Sequence, residues 1–185
     1  MIEDVLKDAV RRMDKSVENA RHEFTTVRTG RAAATLLDRV QVDYYGASTP
    51  LKQLANVAAT EARLLTITPY DKSAIKQIEK TIQESDLGLT PSNDGKLIRL
   101  PIPQLTEERR KELVKQVRHL AEEGRVAARN VRRDAIHHLK ELSNKGDVGE
   151  DEERRAEEQV QKLTDGHTKM IDELLQHKEA EIMEV

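Results

Sequence analysis

The sequence predicts an α+β protein in which three long amphipathic helices form an antiparallel bundle and a small β/α/β domain is inserted after the first helix. Apolar residues recur every three to four positions over residues 2–29, 106–144 and 150–182, which is the helical period. Residues 31–103 instead carry short stretches of period two and frequent turn residues. Because amphipathic helices bury their apolar stripes against one another, the bundle must be discontinuous in sequence.

Each predicted helix has recognisable ends. The first covers residues 2–29, and Gly30 suits its C-terminal cap. The second begins at Thr106, whose hydroxyl precedes two acids, and ends near Asn144; the third begins in the acidic run at Glu150. Their inward-facing positions are Leu113, Val117, Leu120, Ala127, Val131, Ala135 and Leu142 in the second helix, and Val160, Leu163, His167, Met170, Leu174 and Ile182 in the third.

Within the inserted segment, the patterns predict three strands and one short helix. In order, these are a strand over 40–44, a turn over 46–50, a strand over 64–67 ended by Thr68-Pro69, a helix capped by Asp71 or Ser73 with Ile75, Ile78 and Ile82 inward and closed by Leu87-Gly88, and a strand over 96–102.

The predicted domains are therefore a bundle made of residues 1–30 and 104–185 and an inserted domain made of residues 31–103. The chain passes between them twice, at 29–31 and at 101–104. Two short crossings favour a hinge, so we expect a rod-shaped bundle with a hinged block attached to it. The predicted hinge residues are Thr29, Gly30, Arg31, Pro101, Pro103 and Gln104.

Composition limits the possible functions. The 185 residues include no cysteine, which excludes disulfides, thiolate zinc sites and a cysteine nucleophile. Aromatic residues make up 2% of the chain, so stacking platforms for single-stranded bases are missing. The first fifteen residues follow a helical pattern without an apolar signal core, and no apolar run reaches membrane-spanning length. We therefore expect a cytoplasmic monomer that has no membrane partner.

Charge is distributed unevenly along the chain. The net charge is -3, but residues 109–140 carry +6 and residues 150–185 carry -7. At about 100° per residue, cations of the second helix fall within about 60° of one another around its axis, and we call them the cationic stripe. The stripe comprises Lys111, Arg118, Arg125, Arg129 and Arg132, with Arg133 on its flank.

The cationic stripe has two interpretations. It could be a solvated face or a face neutralised by the acidic third helix, or it could bind a polyanion. Acids are sparse beside it, and its crowded part is arginine, which binds phosphate bidentately. These features favour contact with the phosphate surface of folded RNA. A non-catalytic helical adaptor or chaperone is the alternative.

Catalysis is not predicted. The chain carries no phosphate-binding glycine loop, nucleophile elbow or zinc signature, and we expect no cofactor and no metal. A metal-dependent hydrolase built on Asp134, His137 and His138 lacks further ligands. His167, on the apolar face of the third helix, is interpreted as a core or boundary residue whose polar atoms have partners.

Specific motifs occur in a fixed order along the whole chain. They are Arg28-Thr-Gly-Arg-Ala32, Asp43-Tyr-Tyr-Gly46, Thr49-Pro-Leu-Lys-Gln-Leu-Ala55, Ser85-Asp-Leu-Gly88 leading to Asn93-Asp-Gly95, Leu105-Thr-Glu-Glu-Arg-Arg-Lys111 and Arg125-Val-Ala-Ala-Arg-Asn-Val-Arg-Arg-Asp-Ala135. With these motifs the chain resembles the bacterial ribosome recycling factor family over its whole length. Thr90 and Gly124 depart from the usual family pattern, and neither is on the arginine face.

The resemblance implies an L-shaped, hinged molecule with the shape of tRNA. It further implies binding to the large subunit of the post-termination ribosome through bundle arginines on 23S rRNA. Subunit splitting would then require elongation factor G, which hydrolyses the GTP, so this chain would not be an enzyme. The matching positions are Arg110, Arg129 and Arg132, followed by Asn130, Arg133 and Arg28; Arg118 and Arg125 join the predicted RNA-binding set from the stripe.

Overall fold

The computed structural model describes residues 1–184, which divide into two compact units. One unit contains Met1–Thr29 and the chain from Glu107 onward, and the other is Gly30–Thr106. The elements are α1 (Ile2–Thr26), β1 (Gln41–Tyr44), β2 (Ala47–Pro50), α2 (Leu51–Leu54), β3 (Ala55–Glu61), β4 (Leu64–Pro69), α3 (Ile75–Glu84), β5 (Ser92–Asn93), β6 (Ile98–Pro101), α4 (Glu107–Asn144) and α5 (Glu150–Met183), with 3-10 turns at Ala34–Leu37 and Lys72–Ala74.

The α+β fold class is confirmed: α1, α4 and α5 pack as a helix bundle, and the second unit is a small β-sheet domain. Each of the three long helices packs against both others. The bundle core is aliphatic, as the scarcity of aromatic residues requires, with Phe24 as its one aromatic side chain among the described residues.

The buried face of α4 is rotated from the one that the sequence predicts. Leu120, Ala127 and Leu142 are only half-buried. The reason is that small residues let α4 approach its neighbours more closely than leucines would permit. The buried residues of α4 are Leu113, Val117, Ala121, Gly124, Ala128, Val131, Ala135 and Leu139.

The prediction that α1 extends to residue 29 and is capped by Gly30 is wrong. The helix ends at Thr26, and Val27 follows in extended conformation. Thr25 and Thr26 donate their hydroxyls at 2.6 Å to the carbonyl oxygens three residues earlier. These bonds compete with continued helix formation at the last turn, because threonine hydroxyls offer the backbone an alternative partner.

The inserted unit holds more β-structure than the sequence predicts. β1 and β2 form a two-residue hairpin around Tyr45-Gly46, and an antiparallel sheet of order β3-β4-β6-β5 forms beside it. β2 lies within the segment that was predicted as a turn. β3 was not predicted because its residues are small and polar, and as an edge strand it is half exposed. The predicted Asp71 cap is confirmed: its carboxylate accepts from the Ser73 amide at 2.9 Å and begins the 3-10 turn before α3.

The two chain crossings between the units fall at Thr29–Gly30 and Thr106–Glu107. Pro101 lies inside the sheet as the last residue of β6, paired with Leu64. Gly30 has a φ of +78°, and a Cβ placed on it would lie 2.9 Å from Leu105 Cγ. Only glycine meets both conditions without strain.

Candidate nucleic-acid interface

The cationic stripe lies along the line where α4 packs on α5. Three of its members, Arg118, Arg125 and Arg132, each reach a polar side chain of α5. Arg118 Nε donates to Glu179 Oε1 at 2.6 Å, and Arg125 Nη1 donates to Asp172 Oδ1 at 2.6 Å. Because the helices are antiparallel, seven residues along α4 correspond to seven residues back along α5. The hydrogen bond to Glu179 raises the pKa of Arg118.

Glu122 is the central anion of the stripe. Its Oε2 accepts from Arg125 Nε at 2.9 Å, and its Oε1 accepts from Arg129 Nη1 at 3.1 Å. These hydrogen bonds from Arg125 and Arg129 hold the pKa of the Glu122 carboxyl below its usual range. Both carboxylate oxygens are therefore occupied by arginines of the same helix.

Much of the repulsion in the stripe is relieved within the chain. The expectation that acids beside the stripe are sparse considered only α4, whereas α5 supplies Glu179 and Asp172. The interpretation of neutralisation by the third helix therefore applies to Arg118 and Arg125.

The other predicted RNA-binding residues have different surroundings. Arg132 Nη1 reaches only a neutral group, the amide oxygen of Gln161, at 3.4 Å. Arg133 and Arg28 are exposed, and no carboxylate of residues 1–184 pairs with either one. Asn130 is also exposed. Arg110 is half-buried, and its Nε is a buried donor that lacks a partner among the described atoms.

The segment Arg129–Arg133 therefore differs from the rest of the stripe in how few of its cations are paired with carboxylates. These five residues cover little more than one helical turn and include three arginines and an asparagine. Arg129 gives one Nη1–H to Glu122 and retains four further guanidinium N–H donors. The neighbouring acid, Asp134, is neutralised across the α1–α4 packing by Arg12, whose Nη2 donates to it at 2.6 Å.

The histidines and acids of α4 do not converge on a metal site. Asp134 is paired with Arg12, and His137 Nε2 lies 3.4 Å from Glu141 Oε1. Over residues 1–184, no three or more His, Cys, Asp or Glu side chains are grouped so that they could hold a metal ion.

The interpretation of His167 is confirmed. It is 6% exposed, with Nδ1 2.6 Å from the Leu163 carbonyl oxygen and Nε2 2.7 Å from Asp14 Oδ1. The Asp14 partner belongs to α1 and could not be identified from sequence, because no local spacing links residues that are so far apart along the chain.

Sequence reasoning missed the α5 partners of the stripe. The signal that could have found them is the heptad spacing of Arg118 and Arg125, which matches the seven-residue spacing of Asp172 and Glu179 in an antiparallel neighbour. The large apolar side chains exposed on the described bundle are Met1, which precedes α1, Val126 on α4, and Met170 and Met183 on α5. In the same described region, no helix is long and apolar enough to cross a bilayer.

Comparisons with known proteins assign the chain to a family. The family model described as "Ribosome recycling factor" matches residues 20–183. The ribosome-recycling factor of Rubrobacter xylanophilus is 59% identical over 180 residues, which is 97% of each chain. That of Bacillus pumilus is 57% identical over 185 residues and covers both chains completely.

Solved structures agree with this assignment. A solution structure of the ribosome recycling factor matches with a TM-score of 0.71 and 42% identity, covering 100% of this chain and 98% of the other. The T. thermophilus ribosome recycling factor, described with E. coli elongation factor G bound to the E. coli post-termination complex, matches with a TM-score of 0.63 and 46% identity over both full chains. This chain therefore belongs to the ribosome recycling factor family.

Proposed function

We propose that this chain recycles ribosomes: it binds the large subunit of a post-termination ribosome and, together with elongation factor G and GTP, splits the subunits and frees them from mRNA. Membership of a non-enzymatic translation factor family supports a role without catalysis. The partner hydrolyses the GTP, and this chain acts as a cytoplasmic monomer.

The proposed anchor is a set of α4 residues that contact phosphates of 23S rRNA. The observation that carries it is Arg129–Arg133, where the guanidinium groups of Arg132 and Arg133 have no carboxylate partner within residues 1–184. A free guanidinium can bind a phosphate bidentately without first breaking an internal ion pair. Arg129, Asn130, Arg110 and Arg28 complete the proposed contacts, whereas Arg118 and Arg125 join α4 to α5.

The proposed mechanism uses the two crossings as a hinge. With the bundle held on RNA, elongation factor G displaces the inserted unit about residues 29–31 and 101–104. In support of this proposal, the unit boundaries lie at or within three residues of these segments. Displacement of an anchored rigid body transmits force to the contacts between the ribosomal subunits.

Polysome breakdown tests the proposal. Purified elongation factor G and GTP are mixed with polysomes and either wild type or the Arg129→Ala/Arg132→Ala variant. We expect wild type to convert polysomes to subunits and monosomes, and the variant to lose most of that activity. Arg11→Ala/Arg21→Ala is the matched control, because it also removes two exposed arginines, each in a local α1 ion pair.

Two results would contradict parts of the proposal. Full activity of the Arg129/Arg132 variant would refute the anchor, and no activity of wild type would refute recycling itself. Salt dependence gives a second check: about five phosphate contacts predict a log-log slope of affinity against salt on the order of -4, by analogy with B-DNA. An adaptor that binds proteins through apolar surface would show a flat salt response.

A further inference from the structure

Arg129 belongs to a chain of four alternating charges that runs from α5 to the exposed side of α4. Asp172 accepts from Arg125 Nη1 at 2.6 Å, Arg125 Nε donates to Glu122 at 2.9 Å, and Glu122 accepts from Arg129 Nη1 at 3.1 Å. We call this series the Asp172–Arg129 relay. It links the position of the Arg129 guanidinium to the neighbouring helix.

The two arginines of the relay are not equivalent. The Arg125 side chain is 20% exposed and already donates through two of its nitrogens, whereas the Arg129 side chain is 37% exposed and uses one. Only Arg129 combines exposure with spare donors. Arg125 is therefore poorly placed to bind phosphate, although it stands in the same stripe.

The carboxylate of Glu122 presents a physical difficulty at an RNA interface. A bare anion next to a phosphate-binding arginine repels the phosphate, and a mobile one would draw the Arg129 guanidinium inward. Arg125 counters both effects, because it neutralises Glu122 and holds its Oε2. Glu122 is then fixed and can orient Arg129 through its remaining oxygen.

We infer that Arg125 is a positioning residue for RNA binding, which acts through Glu122 to present Arg129 and does not itself contact RNA. This inference rests on the proposed function. It separates the cationic stripe into residues that contact phosphate and residues that position those side chains. Charge and spacing in the sequence do not reveal this distinction.

The test is a double-mutant cycle between Arg125→Gln and Glu122→Gln. Affinity for purified large ribosomal subunits is measured by cosedimentation over a series of KCl concentrations at fixed Mg²⁺. We expect Arg125→Gln to weaken binding by about threefold to tenfold, the size associated with ordering one rotamer-rich side chain. In the Glu122→Gln background, we expect Arg125→Gln to weaken binding by less than about twofold, because the Glu122 carboxylate that connects Arg125 to Arg129 is absent.

The coupling in this cycle is the readout that a purely structural role would not move, and the salt series separates a residue that contacts phosphate from one that positions such a residue. Arg129→Gln removes one phosphate contact, so the slope of log affinity against log salt concentration should become shallower by roughly 0.9, by analogy with B-DNA. Arg125→Gln should lower the affinity without changing that slope. Arg125→Lys is the second variant: it retains the charge but loses the planar fork, so a loss of affinity in it cannot come from net charge.

Arg118→Gln is the matched control. It removes the same charge from the same stripe and breaks an α4–α5 bond of the same 2.6 Å length, but Arg118 does not donate to Glu122. Its effect on affinity should be equal with and without Glu122→Gln. Melting temperatures of all variants, followed by circular dichroism, establish that the bundle is folded in each.

The outcomes are distinguishable. An equal loss from Arg125→Gln in both backgrounds, or a slope change like that of Arg129→Gln, would show that Arg125 contacts RNA directly and overturn the inference. An unchanged affinity of Arg125→Gln would overturn it as well. Absence of binding by wild type would instead refute the proposed function, and the inference would fall with it.

Discussion

Replacing Gly124 by alanine tests how closely the three helices pack. A glycine in a helix interior costs about 1 kcal/mol relative to alanine, so helix propensity alone predicts that Gly124→Ala stabilises the protein. In the structure, however, the added Cβ would lie 3.1 Å from Ala20 Cβ on α1 and 3.2 Å from Ile171 Cδ1 on α5. Ordinary carbon contacts are about 3.5–4.0 Å, so both neighbours must move by several tenths of an ångström.

The expected size follows from these distances. Ile171 Cδ1 can yield by rotation, but Ala20 Cβ is fixed to the α1 backbone, so the helices themselves must separate. Overpacking of this kind costs about 1–3 kcal/mol, which offsets or exceeds the gain in propensity. We expect Gly124→Ala to change the free energy of unfolding by between about zero and 2 kcal/mol, in the destabilising direction.

Gly166 provides the matched control. It also lies inside a long helix, but a Cβ there meets nothing within 4 Å, so Gly166→Ala should stabilise by about 0.5–1 kcal/mol. Thermal unfolding followed at 222 nm reports mainly the bundle, and about 1 kcal/mol corresponds to roughly 2–4 °C for a chain of this size. Equal stabilisation by Gly124→Ala and Gly166→Ala would refute the close approach of α1, α4 and α5.

Three further predictions concern other parts of the molecule. His167→Ala should lower the free energy of unfolding by about 2–3 kcal/mol in urea titrations, because it leaves a cavity and removes the polar contacts of the ring with the Leu163 carbonyl and the Asp14 carboxylate. Hydrogen bonds from the Ser73 hydroxyl and amide and from the Tyr44 hydroxyl lower the pKa of Asp71. The pKa of Asp71 measured by NMR should therefore lie below the ordinary aspartate range, and it should rise towards that range in Ser73→Ala. The stability from these bonds is present above the unfolded-state pKa of Asp71 and is lost as pH falls through its lower folded-state pKa. Gly30→Ala should destabilise the inserted unit by about 1–2 kcal/mol or more in urea titrations, because alanine must adopt a positive φ.

Each of these has a control and a contrary result. His177→Ala alters an exposed residue of the same helix and should change stability by less than about 0.5 kcal/mol; an equal effect of both histidine variants would contradict the buried role. An unchanged Asp71 titration in Ser73→Ala would disprove the hydroxyl bond. Gly95→Ala introduces backbone strain at φ +88°, but its new Cβ meets no neighbour. Gly30→Ala should therefore lower the free energy of unfolding by more than Gly95→Ala, because its new Cβ also collides with Leu105. Equal losses would contradict the contact with Leu105.

The strands show where sequence patterns suffice and where they do not. β4 alternates buried and less buried residues and was predicted nearly to its ends, because half-buried strands impose period two on the sequence. β3 obeys no such period, since its small residues are specified by backbone pairing with β4 and not by burial. An edge strand of that kind is visible only once its partner is placed.

The candidate site shows the same division. Spacing on one helix was enough to identify the cationic stripe, because residues at known helical angles share a face regardless of the rest of the fold. The separation of Arg125 from Arg129 was not predictable, because it depends on Asp172, which lies on another helix. Local sequence contains the donors of an ion pair but not the distance to acceptors on a neighbouring element.

The sequence by itself determined the α+β class, the three long helices, the inserted unit and the arginine-rich face, since each follows from periodicity and local charge. Tertiary structure alone decided which arginines are held by α5, why His167 is buried with Asp14, and why Gly124 is glycine. The physical reason is that periodicity constrains each helix separately. The rotation and closeness of packed helices depend on side-chain shapes from all of them at once, and these determine which charges are paired and which remain available to a partner.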